Sequence, residues 1–304
     1  MEVGLTGATG HLGSRLLPLL LADPAVAIVR SVARRPLAAS PKLVHTQADL
    51  RSDSARRALA GVDVLFHLGF ALWRSRDAAH LNWDGTANML AARPGRVVLA
   101  SSAAVYGAWP DNPVPLLEDH WPRPNRQCRY AVEKLRAERL CAGSAPTLSL
   151  RIAAVLGPHA DPRVLQAVRA LRLGVPALWG KHAAVQFLDE DDAAAALHRA
   201  GRSEATGVVN IAPADWLSDR AVARVVHRPV LRLPRSIALA GSEAMYRLGL
   251  APFGSDRAIL IDGPLALDPG LAARVLGWQA TRPSAQVLAA ALQLPARGRV
   301  AGEP

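Results

Sequence analysis

The chain has 304 residues, half of them apolar, and a formal net charge of +11. This length and composition exclude a disordered chain and are sufficient for a substantial core in one large domain or two. The charge comes from scattered arginines without a dense basic block, so we expect small anionic molecules as partners and no nucleic acid.

Targeting and metal-binding signals are not evident in the sequence. No apolar run is long enough to span a bilayer, so we expect no membrane association. The first residues form a predicted strand without the features of a signal peptide, and we expect a cytoplasmic protein. The only cysteines, Cys128 and Cys141, lack metal-ligand spacing, which predicts reduced thiols and no metal site.

A glycine-rich turn lies between the first predicted strand and the first predicted helix, which covers residues 12–21. Its sequence, TGATGHLG, occupies residues 6–13. Gly7 suits a tight turn, Gly10 leaves room for a phosphate, and Gly13 allows the helix to pack closely on the strand. The N–H groups and the dipole of this helix start favour a pyrophosphate. The pattern indicates a dinucleotide site; the alternative is a glycine turn with a structural role only.

Strand-like and helix-like segments then alternate. Predicted strands cover residues 25–33, 43–47, 62–68, 96–100 and 147–152, and predicted helices cover residues 51–60, 76–93 and 127–141. Ser52 or Asp53 is expected to cap the helix over 51–60. A proline-rich loop over residues 109–124 is long enough to suggest a functional role. The alternation predicts an α/β fold, a Rossmann-type doubly wound parallel sheet.

The pattern loosens after Gly157 and Pro158. Helices are predicted over residues 163–173, 217–226, 236–248, 271–276 and 284–292, strands over 185–188 and 208–211, and a frayed tail over 295–304. The acidic run at residues 189–192 is expected to cap a helix start. We predict a dinucleotide-binding domain over residues 1–158 and a smaller C-terminal substrate lobe over 159–304, with residues 185–200 returning to the first domain.

Tyr130 and Lys134 lie four residues apart on one predicted helix and therefore share a face. Tyrosine and lysine are both scarce in this chain, which makes the pair specific. A nearby ammonium is expected to lower the tyrosine pKa, so that Tyr130 can exchange a proton with a substrate oxygen during hydride transfer. Ser102, at the end of the fifth strand, could bond the same oxygen. The alternative is an ordinary surface pair.

Several ordered motifs resemble those of the extended short-chain dehydrogenases/reductases, in the NAD-dependent epimerase/dehydratase group. The resemblance extends from the first strand to at least Asp192, with weaker matches at residues 207–211 and 276–278. The matching motifs are TGATGHLG (6–13), ADL (48–50), HLG (67–69), NWDGT (82–86), SSAAVYG (101–107), YAVEK (130–134) and LRIAAVLGP (150–158).

The resemblance implies a catalytic set of Ser102, Tyr130 and Lys134. Ser102 is preferred to Ser101 because the family's hydroxyl lies four residues before the tyrosine of the Val-Tyr-Gly element. Asn82 could have a functional role or only cap or brace its helix. The Tyr130 helix is often a dimer face in this family, so a homodimer is expected. The expected cofactor-binding residues are Gly7, Gly10, His11, Leu12, Gly13, Arg34, Asp49, Leu50, Leu68, Gly69, Ser101, Tyr130 and Lys134, with Asp49 and Leu50 beside the adenine ring.

The end of the second strand bears on which cofactor binds. NAD-binding members resemble a pattern with an acidic residue there, whereas this chain has Ala33 followed by Arg34 and Arg35. No carboxylate repels a 2′-phosphate, and a guanidinium can bind it. We therefore expect NADP(H), with NAD(H) as the alternative and solvated surface arginines as the reading without function.

The expected substrate is a small molecule with a neutral carbonyl or alcohol. Sugar-nucleotide members of the family usually have asparagine and tyrosine where this chain has Ala154 and Leu156. Four tryptophans fall in loop-like stretches that could cover the cleft, although core or lid packing is the commoner role: Trp73, Trp109, Trp121 and Trp179.

The leading hypothesis is an NAD(P)-dependent oxidoreductase with Tyr130 as general acid and base. One alternative is a sugar-nucleotide epimerase or dehydratase with tightly bound NAD. Another is a non-catalytic cofactor-sensing or scaffold protein, but such proteins commonly lose the tyrosine or the lysine that this chain keeps.

Overall fold

The computed structural model describes residues 1–72, 77–178, 183–261 and 263–293. The predictions for Trp73, Trp179, the helix start at Arg76 and the tail over 295–304 lie outside the described residues. The strands are β1 Glu2–Thr6, β2 Ile28–Ala33, β3 Leu43–Gln47, β4 Val64–His67, β5 Arg96–Ser102, β6 Thr147–Ile152, β7 Ala154–Leu156, β8 Val175–Leu178, β9 Phe187–Asp189, β10 Gly207–Ile211 and β11 Val230–Leu233.

The helices alternate with these strands in the first half and cluster in the second. They are α1 His11–Ala22, α2 Asp53–Ala58, α3 Ala78–Leu90, α4 Arg129–Ala142, α5 Pro162–Ala170, α6 Glu190–Arg202, α7 Asp219–Val226, α8 Arg235–Arg247, α9 Ser255–Ala258, α10 Gly270–Leu276 and α11 Ser284–Ala291. Three short 3₁₀-helices cover Ala103–Tyr106, Leu171–Leu173 and Ile259–Ile261.

Seven strands form one sheet in the order β10-β6-β5-β4-β1-β2-β3, and every pairing in it is parallel. β4 and β6 are buried along their whole length, as expected for strands with helices on both faces. The chain reverses its direction across the sheet between β1 and β4, and ligands bind at the carboxyl ends of the strands at such a point. The predicted Rossmann-type sheet is confirmed.

The second half of the chain contributes to this sheet as well as to smaller elements. β10 pairs with β6 at the sheet edge, and α6 packs against α1. β7 pairs with β9 and β8 with β11, both in parallel. In the described part of the chain, no helix is long and apolar enough to cross a membrane. The division into two domains, the homodimer and the cytoplasmic location stay predictions.

Local hydrogen bonds explain where the structure departs from the predicted element bounds. β2 begins at Ile28 instead of residue 25, because Asp23 accepts the N–H of Ala25 at 2.9 Å and holds a turn there. Ser52 caps α2 by accepting the N–H of Ala55 at 3.2 Å. The strands β7, β8 and β11 were not predicted, since three or four residues carry too little periodicity.

A buried ion pair joins α4 to the sheet. Arg151 on β6 donates from Nε and Nη2 to Glu138 on α4 at 3.1 and 2.9 Å, and both side chains are over 90% buried. The Arg151 guanidinium also lies 4.6 Å from the ring centre of Tyr106, whose hydroxyl donates to Asn210 on β10 at 2.9 Å. These contacts tie α4, which carries Tyr130 and Lys134, to β6 and β10.

We predict that Glu138→Gln lowers the free energy of unfolding by about 3–5 kcal/mol, because it leaves the buried Arg151 charge uncompensated. Denaturant unfolding monitored by circular dichroism measures the loss. The matched change Glu204→Gln removes an exposed carboxylate and should cost less than about 0.5 kcal/mol. A cost for Glu138→Gln as small as that of the control would contradict the prediction.

Candidate active site

The glycine turn holds β1, α1 and the end of β4 in direct contact. Gly7 has a φ of +72°, and a Cβ there would lie 2.8 Å from the backbone nitrogen of Gly69. A Cβ on Gly13 would overlap the carbonyl oxygen of Gly7. Both positions therefore require glycine, as the sequence predicted.

The start of α1 is open to an anion. No side chain of the described residues caps this helix, and its first turn contains no acidic residue. Gly10 instead donates its N–H to the carbonyl of Gly7 at 2.8 Å, which closes the turn. The following N–H groups, from His11 and Leu12, are those that a helix start offers to a phosphate. The residues present thus fit a dinucleotide pyrophosphate.

A buried hydrogen-bond chain that the sequence analysis missed fixes the predicted cofactor residues Leu68 and Gly69. Thr6 Oγ1 accepts their N–H groups at 3.1 and 2.9 Å and donates to His67 Nδ1 at 2.9 Å. His67 Nε2 then donates to Thr86 Oγ1 at 2.9 Å. Burial and the nearby Lys134 charge lower the pKa of His67 to about 3, so this imidazole is a neutral bridge near pH 7.

Charged residues surround the position expected for the adenine end of the cofactor, at the carboxyl ends of β2 and β3. Asp49 accepts from Arg51 at 2.9 and 3.0 Å, and this bond lowers the pKa of its carboxyl with a smaller contribution from Arg34. Arg35 reaches back to donate to the carbonyl of Thr9 in the glycine turn. Leu50 packs against Gly69. Arg34 and Arg35 are both exposed.

His11, expected to bind the cofactor, uses its side chain for a different contact. Its Nε2 lies 2.8 Å from Glu190 on α6, and His159 Nδ1 lies 2.6 Å from the other oxygen of the same carboxylate. The side chain of His11 therefore pairs with Glu190, and its backbone N–H is the group that a pyrophosphate would be expected to contact. Asp189 caps α6 by accepting the N–H of Asp191 at 2.9 Å, which confirms the capping interpretation of the acidic run.

The three predicted catalytic residues come together at the carboxyl end of β5. Ser102 is the last residue of β5. Burial raises the pKa of Tyr130, and a side-chain hydrogen bond with Ser102 acts in the opposite direction. Lys134, one turn further along α4, donates to the carbonyl of Ala100 at 2.6 Å. Lys134 is only 4% exposed, which rules out the surface-pair alternative.

Burial shifts the pKa values of both Lys134 and Tyr130. It lowers the pKa of Lys134 to about 7 and raises the pKa of Tyr130. The expectation that the Tyr130 pKa is lowered is therefore wrong in this structure, because burial outweighs the effects that lower it. The cation that opposes the rise is Arg257, on α9, whose guanidinium lies 4.1 Å from the Tyr130 ring centre and also bonds the Leu72 carbonyl.

Phe70 is a further residue of this group that the sequence did not predict. Its ring meets the Tyr130 ring edge-on at a centroid distance of 6.0 Å and lies 3.9 Å from the Lys134 ammonium. Neither Phe70 nor Arg257 belongs to a recognisable sequence motif. They lie beside Tyr130 only because of the fold. Ser101, expected near the cofactor, donates its hydroxyl to Glu138.

Asn82 acts as a brace, one of the two roles considered for it. Its side-chain oxygen accepts the N–H of Ala71 at 2.6 Å, and its amide donates to Glu133 on α4 at 2.6 Å. Of the described loop tryptophans, Trp109 donates to the Arg123 carbonyl at 2.6 Å, whereas Trp121 is 72% exposed.

The model of the NAD dependent epimerase/dehydratase family matches residues 3–212. The chain belongs to this family, which confirms the resemblance and indicates a nicotinamide dinucleotide cofactor. "Uncharacterized protein Rv0501" of Mycobacterium tuberculosis is 29% identical over 232 residues, which cover 68% of this chain and 61% of the relative. The chain thus spans about three-fifths of the length of this curated relative.

Solved structures show the same fold. MoeE5 in complex with UDP-glucose and NAD is 26% identical, with a TM-score of 0.71 over 96% of this chain and 98% of that chain. The UDP-glucose 4-epimerase of Thermotoga maritima with UDP-glucose has a TM-score of 0.72 over the same shares, at 17% identity, and supports the fold alone.

We predict that Arg257→Gln raises the pKa of Tyr130, because it removes the positive charge from the face of the ring. Tyrosinate absorbance, titrated with pH and corrected by subtracting the Tyr130→Phe protein, measures that pKa. Arg247→Gln, on the exposed side of α8, is the matched control and should leave the titration unchanged. If both variants titrate like the parent protein, Arg257 has no such effect.

Proposed function

We propose that the protein is an NAD(P)(H)-dependent oxidoreductase that interconverts a carbonyl and a secondary alcohol. The observation that carries the proposal is the group of Ser102, Tyr130 and Lys134 at the carboxyl end of β5. This end of the sheet is also where the open start of α1 lies, so one extended cofactor can bridge the two places.

The side chains have distinct roles in this proposal. When bound, the cofactor supplies a hydride to the substrate carbon or accepts one from it. In reduction, Tyr130 donates its phenolic proton to the carbonyl oxygen, and Ser102 donates a hydrogen bond to the same oxygen. A raised pKa keeps Tyr130 protonated near pH 7, as an acid requires. In oxidation, the phenolate form of Tyr130 is required, and it takes the hydroxyl proton. Lys134 would hold the nicotinamide ribose by a hydrogen bond from its ammonium group.

The cofactor proposed is NADP(H). The support is the pair Arg34 and Arg35 at the end of β2, with Arg35 extended over the glycine turn at Thr9. Two guanidinium groups at this edge suit a 2′-phosphate, which NAD(H) lacks. Asp49, the nearby acid, is already paired with Arg51. NAD, named with MoeE5, is the alternative.

A sugar-nucleotide epimerase or dehydratase with tightly bound NAD is the second candidate. The likeness to MoeE5, named in complex with UDP-glucose and NAD, favours it. Ala154 and Leu156 argue against it, since neither side chain can donate a hydrogen bond to a nucleotide. Release of oxidised NAD on denaturation, together with isomerisation of a UDP- or dTDP-sugar, would favour this candidate. A non-catalytic cofactor sensor would bind cofactor without any turnover.

We predict that Tyr130→Phe lowers kcat at least about 100-fold on any carbonyl substrate, because the proton donor is lost. The substrate comes from a screen of carbonyl compounds and sugar nucleotides with each cofactor, followed by cofactor absorbance. Tyr246→Phe, on α8, is the matched control and should keep parent activity. Unchanged turnover in Tyr130→Phe would remove Tyr130 from the mechanism.

We predict that Arg34→Ala and Arg35→Ala each weaken NADPH binding at least about tenfold and NADH binding much less, because each removes a cation from the 2′-phosphate. Cofactor fluorescence measures both dissociation constants. Arg57→Ala, exposed on α2, should change neither. Equal losses for the two cofactors, or none, would show that these arginines do not select NADPH.

A further inference from the structure

An apolar cavity of about 110 Å³ lies in the second half of the chain, apart from the glycine turn. It opens between β8, β9, α7 and the 3₁₀-helix Ile259–Ile261. Six apolar side chains form most of its wall: Val175, Ala177, Val185, Phe187, Val222 and Ile261.

Among the described residues of the wall, the one acidic side chain is already paired with a cation. Asp219, at the start of α7, is 6% exposed and accepts from Arg232 at 2.7 Å. A phosphate or a nucleobase in this cavity would lose its bonds to water and gain few in return, which is unfavourable. An apolar group loses nothing there and is removed from water.

A single turn of chain links the wall of the cavity to the side chains that pack around Tyr130. Ile261, in its wall, ends the 3₁₀-helix that begins at Ile259. Ile259 belongs to the buried cluster with Cys128 and Ala131, and Tyr130 packs against this cluster. The cavity wall and the cluster against which Tyr130 packs therefore share this short 3₁₀-helix.

The wall is continuous with a core that favours apolar contacts. Val175 and Val222 belong to one buried cluster, against which Val185 and Phe187 pack. Leu156, on β7, is a fully buried member of the same cluster, and β7 pairs with β9, which carries Phe187 of the wall. The departure of Leu156 from the sugar-nucleotide pattern thus adds a hydrocarbon side chain to the cluster that includes this wall.

We propose that this cavity binds an apolar group of the substrate, a short branched alkyl chain or a single ring, while the carbon that exchanges hydride lies at Tyr130. The volume of this cavity is similar to the volumes of cavities that bind benzene. This inference rests on the proposed oxidoreductase function, and it names the substrate class as small apolar ketones or the corresponding secondary alcohols.

A ketone series tests the proposal. With saturating NADPH, kcat/KM should rise at least about tenfold from acetone to 4-methyl-2-pentanone, since each buried methylene adds to binding. Val222→Phe fills the cavity and should abolish this rise, with acetone turnover and the NADPH dissociation constant within about twofold of the parent values. Val275→Phe, on the exposed side of α10, is the matched control. Ala177→Leu fills the cavity from β8 should Val222→Phe not fold.

Binding of toluene, measured by ligand-observed NMR in the presence of NADP⁺, separates the two proposals. Toluene binding that is lost in Val222→Phe and kept in Val275→Phe, together with the ketone preference, supports the cavity as the apolar subsite. Toluene binding without turnover of any ketone would leave the cavity site standing and overturn the oxidoreductase function. Equal kcat/KM across the series without toluene binding would overturn the cavity proposal and leave the function standing.

Discussion

The arrangement of the site depends on the burial of Lys134 between α4 and β5. An ammonium removed from water needs compensation, and the Ala100 carbonyl at 2.6 Å and the face of Phe70 at 3.9 Å provide part of it. Glu138, one turn further along α4, adds a favourable charge. The buried carboxylate of Glu138 is in turn compensated by Arg151, so a series of paired charges runs from Lys134 into the sheet.

The same reasoning applies at the other end of the site. A carboxylate close to a pyrophosphate position would weaken cofactor binding, yet Glu190 lies one hydrogen bond from His11 at the start of α1. Two imidazoles and the N–H of His159 surround this carboxylate, and its pKa is lowered. Glu190 therefore holds the side chain of His11 at the start of α1, where no side chain of the described residues caps the helix.

Local sequence patterns were sufficient to predict the parallel sheet and the proximity of Tyr130 and Lys134. The glycine spacing, the alternation of apolar segments and the pair Tyr130 and Lys134 each depend on residues close in sequence, and the fold keeps them together. Arg257 could not be predicted in this way, because it reaches Tyr130 from a four-residue helix far along the chain. The mistaken pKa expectation has a similar cause: helical spacing brings two side chains to one face but does not reveal how deeply that face is buried.

The burial of Lys134 also has a thermodynamic consequence that argues for a functional role. Its pKa falls from 10.5 to about 7 on folding, so between these values the unfolded chain binds more protons than the folded chain. The contribution of Lys134 to the free energy of unfolding therefore rises with pH between these two values and is lowest below about pH 7. An apolar side chain at this position would not carry that cost near neutral pH. The cost of burying a lysine one turn from Tyr130 supports the proposed contact with a ribose, because packing alone would favour an apolar residue.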